Sequence, residues 1–198
     1  MTKRISNLTL AFSMIDEKTK SVARRMFATN AVDALLAVLG ATVAQYLAGV
    51  RNPSIMVSSA LGISFVMGVF SGVVATLLVE SAEQQAEIKH VEQVMATKLS
   101  NTILHRGSLI ASIYVALWSG LGMIVMPVIG IAPLLLNMAL IIESLDNAVW
   151  MTICTIDLQL FCLGAWLGNL AGGRWYTWGL KFLGIGLVVT LIAGLLMR

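Results

Sequence analysis

The chain has 198 residues, 58% of them hydrophobic and 12% charged, with a mean hydropathy of +0.88. A soluble domain carries about a quarter charged residues, so this composition excludes one and reads as an all-α integral membrane protein. The net charge of +3 is too small to argue for nucleic acid, and topology explains the basic residues better.

The chain opens on a basic amphipathic stretch, residues 1–26. Ile5, Leu8, Phe12, Ile15, Val22 and Met26 follow helical spacing, with Lys3, Arg4, Lys18, Lys20, Arg24 and Arg25 around them. Such a helix lies in the headgroup layer or packs on the cytosolic side of a bundle; both readings are open. The apolar run LTLAFSMI is short, is followed by Asp16 and Glu17, and lacks a small-residue cleavage site, so the first span is expected to serve as the insertion signal.

Residues 27–198 read as one transmembrane domain. Five stretches reach the length of about 20 residues that a span needs: near 27–50, 55–79, 108–130, 148–170 and 177–197. The loop RNPS at 51–54 is tight and predicts a hairpin. Residues 80–107 are polar and predict a cytosolic helical segment running on from span two. Pro127 and Pro133 predict a break after span three, and 134–147 a short re-entrant or interfacial helix. Gly172, Gly173 and Arg174 form the last turn.

With the N-terminus inside, eleven of the thirteen Lys and Arg residues fall on the cytosolic side, and only Arg51 and Arg198 outside. This positive-inside bias predicts five spans, a cytosolic N-terminus and an external C-terminus. Cys154 and Cys162 lie eight residues apart in one apolar stretch. A helix separates them by roughly 12 Å, so they cannot bond to each other.

Asp33 interrupts the first span, FATNAVDALLAVLGATVAQYLAGV. A carboxylate there costs on the order of 3 kcal/mol on insertion scales, and such residues mark ion or proton paths. Asn30, Asp33, Ala37, Ala41, Ala44 and Ala48 follow helical steps and predict one small, polar face, which suits a dimer interface lined by an ion path. The bland reading is a packing seam with a neutral, hydrogen-bonded Asp33.

Span two carries Gly68, Gly72, Thr76 and Glu80 at four-residue steps, a small-residue seam that ends in a hydroxyl and a carboxylate. Beyond it Glu83, Glu87 and His90 share a face. Glu87 and His90 form a Glu-x-x-His pair, a spacing that lets both reach one metal. Carboxylates with an imidazole suit Fe²⁺ or Mn²⁺, whereas the bland reading is a solvated surface. In span four Asp157 stands eleven residues after Asp146, about three turns, with Glu143 and Asn147 near that face. This is either an acidic stripe or an internally hydrogen-bonded residue. Met67 and Met123 are conceivable soft ligands that the spacing does not single out. There is no nucleotide loop, catalytic triad or zinc pattern, and the two histidines, His90 and His105, both lie in the polar segment. An enzyme is not expected.

The stretches RRMFATNAVDALLAVLG and LLVESAEQQAEIKHVEQVM resemble the vacuolar iron transporter family, in its short prokaryotic, mostly archaeal, branch. The resemblance covers residues 24–95, and the later spans by layout, with LFCLGAWLGNLAGG fitting the fourth span. Asp33 matches the family's path-lining aspartate, although Ala34 stands where the family has glycine. The methionine and glutamate of the family's second span fall on Gly72 and Thr76, and its cytosolic metal-binding domain is reduced to the 80–107 segment. Glu80 and Glu83 match acids of the short branch.

The resemblance implies five spans in the cell membrane, a homodimer, a path between subunits, and Fe²⁺ or Mn²⁺ as substrate leaving the cytosol in exchange for protons. No covalent cofactor is implied. The expected metal residues are Asp33, Glu80, Glu83, Glu87 and His90, with Asn30, Thr76 and Asp157 further along the path. The alternatives are a non-transporting scaffold or partner-binding protein, and a metal-dependent membrane enzyme acting on lipid.

Overall fold

A computed structural model of the chain describes residues 16–95 and 103–196. The expectations for residues 1–15, and for 96–102 of the polar segment, lie outside the described residues. Among the described residues there are seven α-helices and one π-helical segment, and no strand. Five of the helical rods are long and apolar enough to cross a membrane. This is the architecture of a multi-pass membrane protein, since a helix satisfies its own backbone polar groups in lipid.

Helix α1 (Glu17–Leu47) starts where Asp16 accepts hydrogen bonds from the Thr19 backbone N–H at 2.8 Å and its hydroxyl at 2.7 Å. These bonds hold the Asp16 carboxyl below its ordinary pKa, the backbone N–H contributing most. Residues 17–26 and the first span therefore form one unbroken helix. Its stripe of Ala31, Ala34, Leu35, Val38, Leu39, Thr42 and Val43 is buried and makes α1 the central helix. The core around it takes in Met56, Val57 and Ala60 of span two, Ile131 and Leu134, and Ile153, Ile156 and Leu160 of span four.

Gly49, at φ +83°, takes the left-handed conformation that ends α1 at no side-chain cost. Asn52 then accepts from the Ser54 N–H at 3.0 Å, and Pro53, lacking an N–H to satisfy, opens the next helix. This is the predicted hairpin.

Span two is one rod in three parts: α2 (Pro53–Val66), a π-helical segment (Met67–Ala75) and α3 (Thr76–Met95). The polar segment does run on from span two as helix, through Met95. The seam of Gly68 and Gly72 faces span three of the same chain. A Cβ on Gly72 would lie 2.7 Å from the Gly120 Cα, so the two backbones meet where neither has a side chain.

Helix α4 (Ile103–Gly130) contains Pro127 within its last turn. The chain breaks only at Ile131, and α5 (Ala132–Met138) is the short helix expected after it, with Pro133 in its first turn. Buried Asn137 fixes the return by donating to the Ile142 carbonyl at 2.7 Å. Helices α6 (Leu145–Leu170) and α7 (Trp175–Leu196) form the final hairpin. It turns at Gly172, φ +67°, and closes where Gly164 and Gly168 admit Phe182 and Trp178.

Candidate functional site

The polar residues predicted as one site separate into four places. The first is a buried junction between spans one, two and three. The Asn30 amide donates to the Ser119 hydroxyl, which also shares a hydrogen bond with Thr76 Oγ1 at 3.0 Å. Ser119 is fully buried. Asn30 and Thr76, expected along the path, thus come together inside one chain, through a residue that sequence reasoning passed over. The signal was there in Ser119-Gly120, a small polar pair in the middle of an apolar span.

The second place is the outward face of α1. At 3.6 residues per turn Asp33 lies roughly 180° from the centre of the buried stripe. It is exposed, and it has no hydrogen bond or ion pair among the described residues. Ala37, Ala41 and Ala44 near it are half-buried. Asn30 and Asp33 therefore do not share a functional face: one turns into the bundle and the other away from it.

The third place is a cavity of about 440 Å³ where the start of α1, the polar helix α3 and the start of the third span meet. Its polar wall consists of Asp16, Lys18, Thr19, Glu80, Gln84, Glu87 and Ser108. Lys18 Nζ donates to Glu87 Oε1 at 2.9 Å, an exposed pair that closes the rim. Glu80 is buried, 6% exposed, and has neither a hydrogen bond nor an ion pair among the described residues. Arg25 and Glu83 act on it only through space. Glu83 and His90 are exposed on α3. Among the described residues no three His, Cys, Asp or Glu side chains converge as a metal cluster within the chain.

The fourth place is the middle of α6. Asp157 Oδ1 is buried without a hydrogen-bond partner, packed against Gly186 of α7, where a Cβ would collide with it. Asp146 lies eleven residues earlier on the same continuous helix, about three turns away, accepting from the Tyr46 hydroxyl at 2.9 Å with Arg51 3.7 Å away.

Comparison with protein-family models, curated proteins and solved structures returns no match for this chain.

Proposed function

We propose that this chain carries a divalent metal ion, Fe²⁺ or Mn²⁺, out of the cytosol through a path at the interface of a homodimer, in exchange for protons. The observation that supports this most is Asp33, an exposed and unpartnered carboxylate on the outward face of a helix whose other face is the core. Lipid is a poor neighbour for such a group. A second copy with its own small face provides a better one, because a two-fold axis sets the same surface against itself.

Two Asp33 carboxylates across that axis would offer a hard cation oxygen ligands from both sides, which one carboxylate alone does only weakly. Proton uptake by Asp33 as the metal leaves would then couple the two flows. Glu80, Glu83 and Glu87, with His90, would raise the cation concentration at the mouth through their summed charge. The Asn30–Ser119–Thr76 junction would brace span one against spans two and three, so that α1 presents a rigid wall.

The test is metal uptake into proteoliposomes, with Fe²⁺ under reducing conditions and with Mn²⁺. Wild type is expected to move metal, and Asp33→Asn to lose the flux while still inserting. Normal flux in that variant sinks the role of Asp33. No flux in either protein favours the scaffold reading.

A further inference from the structure

The cavity beside the start of α1 has a composition of its own. Its polar wall is largely spoken for: Asp16 caps α1 through Thr19, and Glu87 is tied to Lys18. Glu80 is the exception, a residue only 6% exposed that lines the cavity with no hydrogen bond or ion pair among the described residues. Burying a carboxylate without a partner is costly, and a positive charge seated in the cavity would remove that cost. The apolar part of the lining includes Val22, Ile88, Ala111 and Val115, of which Ala111 and Val115 are buried.

A bare divalent ion takes about six oxygen ligands, but the oxygens of Asp16 and Glu87 are already bonded to Thr19 and Lys18, and no three His, Cys, Asp or Glu side chains converge as a metal cluster among the described residues. An apolar concavity with a single well-placed polar group is instead the usual form of a site for a small organic molecule, and this volume lies in the range of such sites. We propose that the cavity binds an organic monocation, its ammonium head against Glu80 and its apolar body along Val22, Ile88, Ala111 and Val115. The site lies inside one chain, about three turns along α1 from Asp33 and on the same side of that helix, and its occupancy does not depend on metal transport.

The test uses benzyltrimethylammonium and its uncharged isostere neopentylbenzene, titrated by calorimetry against the full chain in lipid nanodiscs, with empty discs as the blank. The cation is expected to bind at one site per chain, and the isostere at least tenfold more weakly. Glu80→Gln is expected to weaken the cation at least tenfold and leave the isostere unchanged, while Glu143→Gln, an exposed acid outside the cavity lining, leaves both unchanged. Val115→Trp, which fills the apolar end, is expected to abolish both. Because charge is varied on the ligand as well as on the protein, a folding defect in one variant does not decide the matter. Equal binding of the two compounds to wild type, or cation binding that survives Glu80→Gln, overturns the proposal. So does Mn²⁺ that displaces the cation with the same dependence on Glu80, which would give the cavity to the metal.

Discussion

Ser119 is buried and Asp157 half-buried with a buried Oδ1; both are polar side chains in apolar spans, and they should respond to mutation in opposite ways. Ser119 is the shared partner of Asn30 and Thr76. Ser119→Ala leaves the half-buried Asn30 amide facing a methyl group, while Thr76 keeps its hydrogen bond to the Ser71 carbonyl at 3.3 Å; orphaning a buried polar group costs about 1–3 kcal/mol. Interhelical hydrogen bonds in membranes sit at the low end of such values, so a loss of about 1 kcal/mol in an unfolding titration is expected. Asp157 has no partner to lose at Oδ1. Asp157→Leu, close to it in shape, replaces an unsatisfied group by an apolar one, a change that is neutral or stabilising. The same titration should show a gain of up to about 2 kcal/mol. A clear loss would mean that Asp157 holds a contact in the membrane, such as a proton path through α6 and α7, and would return it to the transport route. The sequence made both residues visible as polar interruptions. It could not rank them, because satisfaction depends on what a neighbouring helix brings: Thr76 and Asn30 in one case, the bare backbone of Gly186 in the other.

Small residues at the level of the helix carry two different meanings. Gly72 and Gly62 lie in the same span, yet a Cβ on Gly72 would sit 2.7 Å from the Gly120 Cα, and one on Gly62 would meet nothing within 4 Å. Gly72→Ala must push span two off span three, and overpacking of this kind costs about 1–3 kcal/mol. Gly62→Ala is expected to be neutral, or stabilising by up to about 1 kcal/mol from helix propensity alone. Unfolding titrations of the two variants side by side check the contrast, and an equal response would deny the close approach at Gly120. The elements themselves were legible: five apolar runs of spanning length, the Asn-Pro hairpin start and the Gly172 turn all stand where the sequence put them. The facing of the elements was not legible. A soluble helix declares its inner face by hydrophobicity, but in lipid both faces are apolar. Asn30 and Asp33, three residues and roughly 60° apart, read as one polar face, and the structure divides them between the bundle interior and its surface. The Gly68–Gly72 seam is likewise spent on span three of the same chain and is not free for a second copy.

For the whole molecule that division leaves an exposed patch at Asp33 on α1, bounded two turns on by Gly40, where a Cβ would meet Val189 of α7 at 3.6 Å. If two copies meet there, residues next to the two-fold axis face their own counterparts. Ala37, one turn beyond Asp33, is a position where a cysteine would test this without touching the acid. The native Cys154 and Cys162 are exposed and must first become serine. In that background Ala37→Cys is expected to give a disulfide-linked dimer on mild oxidation in the bilayer, since a bond forms only where Cα atoms approach within about 7 Å. Leu158→Cys, exposed on α6 and away from the proposed axis, serves as the control and is expected to remain monomeric. Read together with metal flux, the cross-link separates the possibilities. A specific dimer through Ala37→Cys, with flux lost on Asp33→Asn, places the path between subunits. Flux without that dimer moves the path inside one chain, where the remaining intramembrane acid is Asp157. A dimer without flux leaves α1 as an assembly surface, with Asp33 as its polar lock.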